Sequence, residues 1–67
     1  MPISARNQIT GTVTSITRGE AIANVELDAG GQRIVASITT EAAAELELGE
    51  GKEVTAIIKA SDVILAT

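Results

Sequence analysis

The chain contains no cysteine, no histidine, no aromatic residue and only one proline. Without cysteine there is no disulfide, and without cysteine and histidine there is no structural zinc site. With no aromatic ring there is no platform on which single-stranded nucleic acid could stack. The core must then be assembled from Ile, Val, Leu and Ala, which bury less area each than Phe or Trp. Positive charge is scarce as well. Five basic residues stand against nine acidic ones, a net charge of −4, so the basic face that a nucleic-acid binder needs is missing. General acid–base work at neutral pH would fall to carboxylates. Yet Glu41, Glu45, Glu47, Glu50 and Glu53 read as a solvated acidic surface, and the expectation is a protein that is not an enzyme. The opening Met1-Pro2-Ile3-Ser4 lacks the apolar run of a signal peptide, and no stretch approaches membrane-spanning length. A cytoplasmic protein with no membrane partner is the expectation.

What is present is a short aliphatic chain, 67 residues with 45% apolar content, read as a single domain over residues 1–67. A single core of this size is marginal, and with disulfides and zinc excluded, association with further copies is the remaining stabilising device. The periodicity predicts strands over Ile9 to Ile16, Ala21 to Leu27, Arg33 to Thr39 and Lys52 to Lys59, with a short fifth strand over Asp62 to Ala66. Turns are expected at Thr17-Arg18-Gly19-Glu20 and Asp28-Ala29-Gly30-Gly31-Gln32. Thr40 to Leu46 reads as a short helix with Thr40 as its N-cap. Three strands, a short helix and two strands is the order of an all-β, five-stranded OB-like barrel. An SH3-like barrel has no helix at that place. Several strands are apolar on both faces, which again points to surfaces covered by another subunit.

Two polar clusters carry the chemistry. Ser4-Ala5-Arg6-Asn7-Gln8 opens the chain, and Lys59-Ala60-Ser61 follows the apolar run Ala56-Ile57-Ile58. Each joins a cation to a hydroxyl and to a small residue that leaves backbone N–H groups reachable, a donor set that suits an oxyanion. Ser4 and Arg6, two apart, project to one side of an extended chain. Read singly, the first is a solvated strand entry and the second a strand end whose lysine snorkels to water.

Together the clusters resemble those of the molbindins, the small molybdate- and tungstate-binding Mop proteins. The likeness runs through Gly11, Gly30-Gly31, Ser37-Ile38-Thr39, Gly51-Lys52-Glu53-Val54-Thr55-Ala56 and Lys59-Ala60-Ser61. The resemblance implies an OB-like fold, a hexamer built as a trimer of dimers, and oxyanions held at subunit interfaces. It implies a pocket formed by Ser4, Ala5 and Arg6 of one subunit with Lys59, Ala60 and Ser61 of its neighbour, and with the Thr39 hydroxyl nearby. A second class of site could involve Arg18-Gly19-Glu20. No cofactor and no directly coordinated metal is implied, since molybdenum would be bound as its oxyanion. The implied role is intracellular molybdenum storage or homeostasis. The alternative is an oxyanion-sensing module acting through a partner protein.

Overall fold

The computed structural model describes residues 2–67. The chain forms β1 (Asn7–Arg18), β2 (Ile22–Ala29), β3 (Gln32–Thr39), α1 (Thr40–Glu45) and β4 (Glu53–Ile58). The strands make one antiparallel sheet in the order β3-β2-β1-β4. The long strand β1 is shared. Its first half, Asn7 to Thr12, pairs with β4, and from Thr12 onward it pairs with β2. A bulge between Val13 and Ser15 shifts the register at the hand-over. Such a bulge bends the strand and increases its twist, which coils the sheet.

The turns follow from their residues. β2 and β3 are joined by Gly30-Gly31 alone, flanked by the Ala29–Gln32 pair, and both glycines have positive φ, at 60° and 89°. A two-residue hairpin of right-handed twist requires that backbone, and glycine adopts it without a Cβ penalty. Gly11 serves closeness instead. A Cβ there would lie 2.9 Å from the Asp28 carbonyl oxygen. Helix α1 is capped by Thr39, whose Oγ1 accepts from the Ala42 amide at 3.0 Å. Thr40, the residue expected to cap, instead donates its hydroxyl to the Gly19 carbonyl at 2.8 Å.

Alternation places Val13, Ala23, Val25 and Leu27 on the buried face, where Ala43 of α1 and Leu48 close over them. Every one of these side chains is aliphatic and none is large, so the core is thin. On β3 and β4 the inward residues Ile34, Ala36, Ile38, Val54, Ala56 and Ile58 are only half-buried. On the opposite faces Val35 and Ile57 are 50% and 55% exposed.

The mostly β, OB-like character with one short helix matches the expectation from sequence, but the described residues form four strands rather than five and the sheet is not closed. The segment Asp62 to Ala66 is not a strand. A 3-10 turn, Ala60–Asp62, follows β4, and residues 63–67 beyond it join no strand ladder among the described residues. A short apolar run marks strand potential, but a strand exists only where a ladder partner receives it. An apolar cleft of about 300 Å³ lies between β3 and β4, the two outer strands.

On the β2 side of the sheet, the Glu26 carboxylate accepts from Arg33 and, at 2.9 Å, from the Ser15 hydroxyl. The Arg33 hydrogen bond, then the Ser15 hydrogen bond and the arginine's charge, hold its pKa below the ordinary carboxylate value. A lowered acid favours the folded state above its unfolded pKa, and that contribution is lost as pH falls through the folded value. Thermal melts across pH should therefore show wild type more stable than Glu26→Gln at pH 7, with the gap closing in acid. A gap independent of pH would assign the effect elsewhere. Gly11→Ala should cost about 1–3 kcal/mol through overpacking against the β2–β3 hairpin, read as a lower denaturation midpoint at fixed protein concentration.

Candidate functional site

The two polar clusters sit next to one another. Asn7 pairs with Ile58 across the β1–β4 ladder, and the Asn7 side-chain amide donates to the Ile58 carbonyl at 3.1 Å. Arg6 and Lys59 are each one residue outside that pair. Their Cα atoms are therefore within about 13 Å of each other, given the spacing along a chain and across an antiparallel pair. The sheet thus delivers Ser4-Ala5-Arg6 and Lys59-Ala60-Ser61 to a single end. One chain thus places both clusters at the same end of its sheet.

The local backbone suits an anion. In a 3-10 turn the first amides have no carbonyl to bond within the turn. Here those are Ala60 and Ser61, since the Asp62 amide takes the Lys59 carbonyl and Val63 takes that of Ala60. Alanine at 60 keeps that backbone uncovered. Ser4, Arg6, Lys59, Ala60 and Ser61 are all exposed and Ala5 is half-buried, so the site is an open rim rather than a closed pocket. Asp62 is the one carboxylate on the turn, and it makes no ion pair with Lys59.

The allocation of positive charge isolates this end of the molecule. Arg18 donates to the Leu48 carbonyl at 2.8 Å, Lys52 donates to the Leu46 carbonyl at 3.2 Å, and Arg33 pairs with Glu26. Arg18 and Lys52 thereby satisfy carbonyls around the exit of α1, where the helix leaves acceptors unpaired. Among the described residues, the remaining two cations, Arg6 and Lys59, have no side-chain partner. These two are the cations of the candidate site. Arg18, which the resemblance linked to a second class of site, is committed to the fold.

Thr39 stands apart. It pairs with Ile22 at the end of the sheet where β1 finishes, across three strands from β4. One chain does not bring it to the two clusters, and its hydroxyl oxygen is occupied by the helix cap. Sequence reasoning missed Asn7 as the side chain that locks the two cluster-bearing strands together. Its signal was present in the opening polar run, where an amide directly before a strand can bond across the ladder.

Comparison with known proteins places the chain in a defined group. The TOBE domain pattern matches residues 3–65. Molybdenum-pterin-binding protein 1 of Clostridium pasteurianum is 44% identical over 66 residues, 97% of each chain. The molybdate-binding protein of Sporomusa ovata superimposes over the whole of both chains with a TM-score of 0.95 and 37% identity. The cytoplasmic molybdate-binding protein ModG, solved with molybdate bound, gives a TM-score of 0.91 and 48% identity over 96% of this chain and 46% of its own.

Because Thr39 is held by the cap, Thr39→Ala should cost about 0.5–2 kcal/mol of stability while Thr39→Ser retains most of it. Denaturant unfolding of both variants checks this. Equal losses would show that the hydroxyl is not what matters there.

Proposed function

This chain belongs to the TOBE domain family, and from that premise we propose that it binds molybdate or tungstate in the cytoplasm for molybdenum storage or homeostasis, without catalysis. The observation that carries the reading is that Arg6 and Lys59, the two cations without side-chain partners among the described residues, flank the Asn7–Ile58 pair at the end of the sheet where the Ala60 and Ser61 amides are also free. The relatives bear the same chemistry in their descriptions, as molybdate- or molybdenum-pterin-binding proteins.

The magnitudes are adequate. A dianion about 4 Å from each of two cations gains roughly 4 kcal/mol even at the dielectric constant of water. Micromolar binding requires about −8 kcal/mol. Charge-assisted hydrogen bonds from the Ser4 and Ser61 hydroxyls and the Ala60 and Ser61 amides, at about 1.5–3 kcal/mol each, cover the rest. The net charge of −4 does not cancel this, because exposed charges beyond about 10 Å are largely screened at 0.1 M salt.

A site made of donors also discriminates. Molybdate at neutral pH carries no proton, so donors alone satisfy it. Hydrogenphosphate brings a hydrogen that needs an acceptor, at a cost of roughly 1–3 kcal/mol where none is available. Rotating serine hydroxyls reduce that cost in part. Sulfate is smaller, so donors spaced for molybdate would meet its oxygens less closely. Tungstate is close to molybdate in size and competes.

Because the clusters form an open rim in one chain, a hexamer, arranged as a trimer of dimers, encloses the ion at a subunit boundary. A neighbouring copy is then the source of the Thr39 hydroxyl. A second reading is that the domain is an oxyanion-sensing module acting through a partner protein. Pterin recognition itself has little support in the residues, since no ring is present for stacking.

Titration calorimetry of the whole protein tests the proposal with molybdate, tungstate, sulfate, phosphate and a free pterin. Molybdate and tungstate should bind and sulfate and phosphate should bind far more weakly. Lys59→Ala should weaken molybdate roughly tenfold to a hundredfold, while Glu45→Gln leaves it unchanged. No heat with molybdate, or equal affinity for sulfate, overturns the reading. Molybdate-dependent capture of another protein, with binding intact, favours the sensing role.

A further inference from the structure

Asn7 is a polar residue on an apolar face. Paired residues of a ladder lie on one side of the sheet, so Asn7 shares its side with Ile58 and, by alternation, with Ile9, Val13, Val54 and Ala56. That side carries the core, and Asn7 is half-buried on it. Its amide does not add to the core. Nδ2 donates instead to the Ile58 carbonyl at 3.1 Å. Among the described residues this is the one side-chain hydrogen bond that joins residues 2–8 to residues 58–67.

Both polar clusters leave the sheet at this pair. Arg6 precedes Asn7 and Lys59 follows Ile58, so each cation's Cα is about 3.8 Å from that of a bonded residue. Neither cluster has a side-chain anchor of its own. Lys59 enters the Ala60–Asp62 turn with an extended backbone and no side-chain cap, and residues 2–6 belong to no strand or helix. A displacement at the Asn7–Ile58 pair therefore passes to Arg6 and Lys59 at nearly full size.

We propose that Asn7 is a positioning residue for selectivity. Its amide fixes the spacing between the donors at 4–6 and those at 59–61, and that spacing separates molybdate and tungstate from smaller tetrahedral dianions. The inference rests on the oxyanion reading of the site. Asn7 acts through Ile58 and does not touch the ion. Two energies hold an oxyanion, and they respond differently when the spacing loosens. Attraction between charges falls only as the inverse of distance, and every dianion shares it. Charge-assisted hydrogen bonds form within about 2.7–2.9 Å, so they favour the ion whose size matches the fixed donors. Loosening removes that second advantage and keeps the first. Arg6 and Lys59 then still attract any dianion, but size no longer decides among them.

Titration calorimetry of the full chain compares wild type, Asn7→Leu and Asn7→Asp with molybdate, tungstate and sulfate. Leucine is close in size and suits the apolar face, and aspartate keeps the shape without the donor. In Asn7→Leu, molybdate and tungstate should weaken roughly tenfold while sulfate changes little, so the molybdate-to-sulfate affinity ratio falls by about that factor. In Asn7→Asp the added charge weakens every dianion, and the ratio falls as well. Lowered stability alone reduces the folded fraction and leaves the ratio unmoved. An unchanged ratio overturns the proposal, and so does an equal loss for all three anions in Asn7→Leu, the sign of an amide acting on the ion itself. Failure of both variants to fold makes Asn7 a residue of the fold alone and overturns it too. No molybdate heat with wild type overturns the oxyanion reading and this inference with it, whereas a retained ratio overturns this inference alone. A second measurement uses no oxyanion. Amide hydrogen exchange in Asn7→Leu should quicken at residues 58–62 while the β2–β3 ladder keeps its wild-type protection. Quickening throughout the sheet, or none, counts against positioning.

Discussion

The backbone ladder of β1 is the constraint from which the rest of this structure follows. It bonds to β4 over its first half and to β2 over its second, with Thr12 paired to both Glu53 and Asp28. A strand with two partners in succession must turn between them, and the bulge after Val13 is where it does so. Gly11 sits just before the hand-over, where the β2–β3 hairpin approaches too closely for a side chain. The beginning of β1 aligns Arg6 with Lys59, and its end brings Arg18 to the carbonyl of Leu48. The site and the anchorage of the helix exit are therefore positioned by opposite ends of one element.

Much of this was legible in the sequence where local chemistry and global fold agree. Ala23, Val25 and Leu27 alternate because one face of β2 is buried, and Gly30-Gly31 marks its hairpin because few other pairs tolerate positive φ. Legibility fails where the deciding partner is distant. Thr39 and Thr40 are equivalent to a local rule for helix caps, and a hydrogen bond to Gly19, twenty-one residues away, decides between them. The segment after Asp62 has the composition of a strand, and composition does not say which chain supplies its ladder. The candidate site divides in the same way. The residue types of both clusters were readable, whereas their juxtaposition within one chain depends on the Asn7–Ile58 pairing.

The distribution of cations explains how an acidic protein presents a site for anions. A chain with five positive charges spends three of them on its own carbonyls and on Glu26. Those three are neutralised or occupied in place, and they do not compete for ligand. The other two are separated from the acidic helix region by the length of the sheet. The candidate site is therefore a local arrangement of donors on a chain whose overall charge is negative.

The two-glycine hairpin between β2 and β3 has a practical consequence. Both termini of this chain are occupied territory, since Ser4 and Arg6 stand near one end and the apolar residues 63–65 form the other. A tag or fusion partner joined next to Ser4 and Arg6 lies beside the candidate site. Gly30 and Gly31 have nothing within 4 Å of where a side chain would begin. Their loop is exposed, and exposed loop tips are where inserted sequence is best tolerated. For a protein this small, the middle of the chain is the port through which it can be labelled, immobilised or joined to another domain.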